Sequence, residues 1–116
     1  MLSPNQIAEA IEAETARMES LVEDIRQAGF DEARAEADFK VAYARERVTF
    51  RSDALRSGTR ITADMADDAA TVATEDLRYA YLLAENNLST LREAIRASQA
   101  HLDGLRTQAV SHRNVG

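Results

Sequence analysis

The sequence predicts an all-α protein folded as a long antiparallel helical hairpin of the coiled-coil type. Three observations predict it: a composition with 22 alanines, four glycines and one proline, a sustained heptad pattern in the second half, and one clear break between two helical stretches. Alanine favours helix while glycine and proline interrupt it, so this composition is typical of an all-helical chain. The heptad positions, of which only one is polar, are Leu77, Tyr81, Ala84, Leu88, Leu91, Ile95, Ser98, Leu102, Leu105 and Ala109. Alternating steps of four and three residues indicate a helix packed against another helix.

The first helix is expected over about residues 4–57. Ser3 can cap its start, Pro4 suits the first helical position, and Gln6 completes a capping box. Gly29 has two interpretations within this helix. It ends one helix before another begins, or it is tolerated in a continuous helix, straight or kinked, at a cost of about 1 kcal/mol relative to alanine. No proline or polar turn cluster follows Gly29, which favours continuity.

A turn is expected over residues 58–62. Gly58 suits the left-handed position after a helix end, and Thr62 can cap the next helix. The second helix is then expected over about residues 63–110, followed by a polar tail over residues 111–116 that frays. A chain of 116 residues has the size of one domain, so we expect a single helical domain over residues 1–116.

The distribution of charge supports an antiparallel register. Residues 1–38 carry ten acidic and three basic side chains, whereas residues 39–60 carry two acidic and six basic ones. The order then reverses, with six acidic and one basic side chain in residues 61–87 and two acidic and four basic ones in residues 88–116. Folding the chain near residue 60 sets acidic segments beside basic ones at both ends. Each surface pair contributes little, but together they favour this register.

The first helix carries two apolar rows, and one partner helix cannot cover both. Phe39 and Tyr43 belong to the row expected to face the second helix. The other row consists of Val41, Val48 and Leu55. Residues two apart lie about 200° apart around a helix, so the two rows face nearly opposite directions. We therefore predict that Val41, Val48 and Leu55 form a self-interface or a partner interface, and that the chain self-associates, with a dimer that forms a four-helix bundle favoured.

The residues that carry most enzyme chemistry are scarce. The chain has no cysteine, and its two histidines, His101 and His112, have no nucleophile at a matching spacing. The Glu-x-x-His ligand pattern of bundle-type di-metal sites is absent. Asp64, Asp67 and Asp68 are interpreted as compensation of a helix dipole and not as a metal site. We predict a non-enzymatic protein with no cofactor and no metal.

Arginines and aromatic residues alternate in residues 39–60, a pattern that can bind single-stranded nucleic acid. Packing explains most of this segment, because its aromatic residues fall on positions that face the second helix and its bases face the acidic residues 61–87. The turn-proximal Arg51, Arg56 and Arg60 are the side chains left for an anionic partner. We expect them to be the contact residues if nucleic acid is bound.

The net charge and the absence of long apolar runs limit the kinds of partner expected for the chain. The net charge of −6 argues against sequence-independent binding of duplex DNA over the whole surface. No apolar run approaches the roughly 20 residues of a membrane span. The first residues also lack the basic-then-apolar pattern of a signal peptide. We therefore expect a cytoplasmic protein that makes no membrane contact.

Four segments carry a resemblance to a known class of proteins: residues 37–44 (ADFKVAYA), 58–63 (GTRITA), 91–98 (LREAIRAS) and 105–107 (LRT). Through them, about two-thirds of the chain resembles small all-helical proteins encoded near recombination or replication genes of Gram-positive and actinobacterial phages. The resemblance implies an accessory role in phage DNA metabolism or host takeover, in the host cytoplasm. It carries over no functional residue.

Together these features predict a helical interaction protein that self-associates and binds a protein partner. The alternative function is that of a single-stranded nucleic-acid-binding accessory in recombination or replication. It would use the basic region near the turn.

Overall fold

The protein is an all-α helical hairpin, as the computed structural model shows for residues 2–115. Three helices follow one another: α1 covers Pro4–Ser57, α2 covers Ala63–Ala73 and α3 covers Glu75–Val115. The first forms one arm of the hairpin, and α2 with α3 forms the returning arm. This confirms the predicted fold class. Over residues 2–115 there is no strand, and none of the helices is long and apolar enough to cross a membrane.

The start of α1 has the capping box expected from its sequence. Ser3 Oγ accepts a hydrogen bond of 3.2 Å from the Gln6 N–H, and Gln6 Oε1 accepts one of 2.9 Å from the Ser3 N–H. These two bonds satisfy donors that the first turn of a helix leaves without partners. The helix then runs through Gly29 without interruption. A Cβ atom built on Gly29 meets nothing within 4 Å, so no close contact requires a glycine there.

The turn between the two arms is a Schellman motif. Gly58 has a positive φ of 69°, a conformation that residues with a Cβ rarely adopt. The Thr59 N–H donates to the Ala54 carbonyl at 2.9 Å, and the Gly58 N–H donates to the Leu55 carbonyl at 3.3 Å. Thr62 then caps α2, its hydroxyl accepting a hydrogen bond of 3.2 Å from the Met65 N–H. Gly58 and Thr62 thus have the roles predicted for them.

The returning arm differs from the expected single helix over residues 63–110, because it is interrupted at Thr74. The backbone of Thr74 leaves the helical region, with φ −113° and ψ 18°. Its side-chain hydroxyl donates to the Ala70 carbonyl at 2.7 Å, an interaction that bends helices. The second difference is at the end of the chain. The tail expected to fray over residues 111–116 is helical as far as Val115, while Gly116 lies outside the described residues.

The chain divides into two compact units. The first, here called the end unit, consists of the residues up to Ala28 and those from Asn87 onward. The second, the turn unit, is Gly29–Asn86.

The end unit has a core of large aliphatic residues and a buried polar layer. Its buried apolar side chains are Ile7, Ala28, Leu88, Leu102 and Leu105, and its buried polar ones are Glu14 and Ser98. Burying one such leucine contributes about 1.5–3 kcal/mol, so a few large residues dominate the stability of this unit.

The turn unit has a core of small residues and one aromatic cluster. Its buried side chains are Ala54, Ala66, Ala70 and Thr74. Phe39 stacks on Tyr81 with ring centroids 6.2 Å apart, and it contacts Tyr43 at 6.0 Å in a tilted arrangement. The Phe39–Tyr81 pair matches the predicted antiparallel register.

Leu77 is the exception on the predicted heptad seam. It is 38% exposed, and it lies in the first turn after the interruption at Thr74.

Candidate interaction surface

The row Val41, Val48 and Leu55, here called the α1 outer row, lies on the surface of the turn unit. These side chains are 49%, 64% and 83% exposed. Each follows the last by seven residues, so all three lie on one strip of α1. Leu55 is therefore more exposed than any other large apolar residue of the strip. Exposed rows of large aliphatic side chains are typical of contact surfaces.

Phe30 extends the α1 outer row and was missed by the sequence analysis. Its ring is 66% exposed. It precedes Val41 by eleven residues, which is close to three full turns of helix and places both on the same strip. That spacing was the available signal.

A second exposed apolar row lies on the returning arm of the turn unit, and the sequence analysis did not predict it. The row, here called the α2–α3 outer row, consists of Met65, Val72 and Tyr79, which are 45%, 72% and 65% exposed. Leu82 and Leu83 continue it and are about half exposed. The seven-residue spacing of the row could have revealed it. Val72, Tyr79 and Leu82 line a shallow groove of about 290 Å³.

The two rows have flanks of opposite charge. Arg45 and Arg51 lie three residues before and after Val48, about 60° to either side of it around α1. Asp68 lies four residues before Val72, about 40° from it around α2, and Asp76 lies four residues after it, beyond the interruption at Thr74. All four flanking side chains are exposed. Asp38 lies three residues before Val41, and Glu75 and Arg78 line the groove with Val72. With these included, the flanks of the α1 outer row are net basic and those of the α2–α3 outer row net acidic.

The predicted nucleic-acid residues Arg51, Arg56 and Arg60 are all exposed near the turn. The structure brings Arg51 and Arg60 together at an open groove of about 430 Å³, which Leu55 also lines. Arg56 lies outside that lining and is 4.0 Å from Asp53, its neighbour on α1. Two of the three arginines thus share one surface with the end of the α1 outer row.

One further basic side chain of the turn unit is used within the hairpin. Arg47 Nε lies 2.8 Å from Asp67 Oδ1, which joins α1 to α2. This nitrogen is buried and its N–H is not aligned as a hydrogen bond, so the contact is an ion pair. Asp67 therefore pairs with Arg47, a contact that its interpretation as helix-dipole compensation did not include.

A polar cluster with two buried members, Glu14 and Ser98, lies in the end unit, where the sequence showed one polar residue, Ser98, in the heptad pattern. The Glu14 carboxylate accepts a hydrogen bond from the Ser98 hydroxyl, and its other oxygen lies 3.2 Å from His101 Nδ1. The Ser98 hydrogen bond lowers the pKa of Glu14 below its ordinary value of 4.5. His101 and Arg17 lower it further, while burial opposes the shift.

The geometry of this cluster does not place Ser98 as a nucleophile beside His101 as its base. A serine nucleophile needs a histidine that accepts its proton. Here Ser98 and His101 both contact the same carboxylate, so Glu14 lies between the two groups that would have to meet. Among residues 2–115 no group of three acidic, histidine or cysteine side chains is placed to hold a metal ion.

Comparison of the chain with protein-family models, with curated proteins and with solved structures found no match.

Proposed function

We propose that the chain is a non-enzymatic helical interaction protein that self-associates through the turn unit and, once assembled, binds another protein. The observation that carries this proposal is that the turn unit exposes large aliphatic side chains while it buries small ones. Its buried side chains are small, while Val48, Val72 and Leu55 are 64%, 72% and 83% exposed. Burial of apolar area is the main favourable term in association, so a second molecule that covers these rows would be stabilised.

Mass in solution tests self-association directly. We would measure it by light scattering and by sedimentation velocity across a wide range of protein concentration. The parent protein is expected to be larger than a monomer, and Val48→Gln is expected to shift it toward monomer. Val22→Gln is the matched control, because Val22 lies on the same helix, is 55% exposed and belongs to the end unit. A parent that is monomeric at every concentration would contradict the proposal.

The setting in which the protein acts is part of the same proposal. The resemblance to small phage proteins supports an accessory role in phage DNA metabolism or host takeover, within the host cytoplasm. Affinity capture with the parent and with Val48→Gln would identify the protein partner. A partner that needs the assembled surface is retained by the parent and lost by the variant.

Binding of single-stranded nucleic acid is the second candidate, and the groove shared by Arg51 and Arg60 favours it. Basic side chains beside apolar ones can hold a flexible phosphate backbone. We would titrate a labelled oligonucleotide by fluorescence anisotropy at several salt concentrations. If this site binds, replacing Arg51, Arg56 and Arg60 with alanine weakens binding and flattens its salt dependence.

The matched control removes the same charge elsewhere. Arg92, Arg96 and Arg106 are exposed on α3 in the end unit, and their replacement by alanine should leave binding unchanged. Equal losses from both triple variants would mean that net charge and not this site determines binding.

A further inference from the structure

The α1 outer row and the α2–α3 outer row lie on opposite sides of the turn unit. Their residues occupy corresponding positions along the helix axes. Phe39 of α1 contacts Tyr81 of α3, which fixes the antiparallel register of the two arms. Continuing that register toward the turn sets Val48 near the level of Val72, to within about one helical turn. The residues of the two rows therefore lie at the same levels along the helix axes in three pairs: Val41 with Tyr79, Val48 with Val72 and Leu55 with Met65.

This correspondence means that the rows fit each other when two hairpins lie side by side. If the α1 outer row of one copy is set against the α2–α3 outer row of the next, Val48 contacts Val72. The other two pairs of the rows then also come into contact. The helices in that contact are antiparallel, as they are within each hairpin. The contact between copies thus repeats the up-and-down order of the fold.

Charge selects this arrangement over pairing of like rows. In the contact between unlike rows, Arg45 approaches the Asp76 level and Arg51 approaches Asp68. Two α1 outer rows placed together around Val48 in an antiparallel pair would instead put both Arg45 side chains on one flank of the contact and both Arg51 side chains on the other. Two α2–α3 outer rows centred on Val72 would likewise oppose their aspartates. Like charges at an interface are unfavourable and suppress the wrong pairing.

We propose that copies of this chain associate heterologously, with the basic α1 outer row of one hairpin docked on the acidic α2–α3 outer row of the next. This inference rests on the proposed self-association and specifies its geometry. Each copy then keeps one free row at either side. The assembly therefore either closes as a ring or grows as an open row of hairpins, and does not stop at a two-fold dimer.

Charge reversal tests the pairing of unlike rows. The first variant is Arg45→Glu with Arg51→Glu, and the second is Asp68→Arg with Asp76→Arg. Each alone is expected to weaken self-association at least about tenfold, because it places like charges across the contact. All four substitutions in one chain exchange the charges and are expected to restore association. The combined variant keeps the parent's net charge of −6.

Two controls separate interface effects from other causes. Arg92→Glu with Arg96→Glu makes the same change in net charge in the end unit and should leave association unchanged. Circular dichroism at a concentration where each variant is monomeric checks that the helices remain folded.

A mixing experiment gives an independent readout that involves no charge change. Val48→Gln places a polar side chain in the α1 outer row, and Val72→Gln places one in the α2–α3 outer row. Each variant keeps its other row unchanged. Each variant alone should be monomeric, whereas the mixture should form a one-to-one complex that does not grow. This complex forms because the intact α1 outer row of one variant binds the intact α2–α3 outer row of the other.

The outcomes distinguish the inference from the proposal on which it rests. If Val72→Gln associates like the parent while Val48→Gln is monomeric, two α1 outer rows pair with each other. The heterologous contact is then wrong, while self-association stands. If the four-residue charge variant stays monomeric and the mixture forms no complex, the inference is also overturned. A parent that is monomeric throughout overturns both.

Discussion

The end unit buries large aliphatic side chains between its arms, whereas the turn unit buries alanines and leaves most of its large aliphatic side chains exposed. In the end unit, Leu88, Leu102 and Leu105 are at most 6% exposed. In the turn unit, the fully covered side chains are those of Ala66 and Ala70, at 0%, while the larger aliphatic residues point outward. Stability scales with the apolar area removed from water. The end unit therefore gains most of its stability within one molecule, while the turn unit retains apolar area for contact with another.

The two units also differ in how they specify helix register. In the end unit a buried carboxylate contacts a buried hydroxyl across the two arms, Glu14 with Ser98. A polar pair on a heptad seam is satisfied in one register only, so it excludes shifted pairings. In the turn unit the Phe39–Tyr81 stack and the Arg47–Asp67 ion pair do this near the surface. The helix register is thus specified by a buried polar pair in the end unit and by partly exposed pairs in the turn unit.

The largest effect should come from placing a charge in the core of the end unit. Leu102→Asp puts a carboxylate at a site that is 3% exposed, and we expect a loss of about 3 kcal/mol or more in the free energy of unfolding. Val72→Asp, at a site that is 72% exposed, is the control and should stay within about 0.5 kcal/mol for the monomer. Thermal melts followed by circular dichroism make the comparison. Equal melts for Leu102→Asp and the parent would show that the end unit does not depend on its leucines.

A second prediction tests whether the small residues of the turn unit allow close approach of its helices. Ala70 is fully buried, so Ala70→Leu should force the arms apart and lower the free energy of unfolding by about 1–3 kcal/mol. Ala73→Leu, at an exposed position of the same helix, is the control and should have little effect. If Ala70→Leu stabilises the protein, the space between the arms is larger than the buried alanines indicate.

The fold could be predicted from the periodic spacing of apolar residues. Features that depend on individual polar side chains could not. The heptad steps located the seam and the turn, because burial follows helical spacing and a left-handed residue is best supplied by glycine. The interruption at Thr74 was not visible, since threonine often occurs within helices. Thr15, Thr71 and Thr107 make the same side-chain hydrogen bond to the carbonyl four residues earlier without interrupting theirs. Helical continuity through Gly29 was favoured but could not be established from a single residue.

The candidate surface was predicted in part for a related reason. Val41, Val48 and Leu55 could be identified because they lie opposite an obvious aromatic row on the same helix. The α2–α3 outer row has the same spacing, but the stronger seam pattern around Tyr81 obscured it. The contact of Glu14 with Ser98 and His101 was out of reach, because each residue read singly is only a polar interruption.

The acid dependence of stability should distinguish the buried polar pair of the end unit from the surface carboxylates. Because the folded-state pKa of Glu14 is lowered from 4.5, its contribution is complete above that value and is lost as pH falls through the lower folded pKa. Glu14→Gln should remove this part of the pH dependence. Chemical denaturation at a series of pH values would measure it, with the exposed Glu12→Gln as the control. Identical pH profiles for Glu14→Gln and the parent would exclude a role for the carboxylate charge.

The smallest expected effect concerns Gly29, the first residue of the turn unit. Glycine inside a helix is less favourable than alanine by about 0.5–1 kcal/mol, and a Cβ atom there meets nothing within 4 Å. Gly29→Ala should therefore raise the free energy of unfolding by about that amount. Gly104→Ala is the matched test in the end unit, since it too lies within a helix and has open space for a Cβ, and the two gains should agree. If Gly104→Ala stabilises the protein while Gly29→Ala does not, the chain needs the freedom of glycine where its two units meet in sequence.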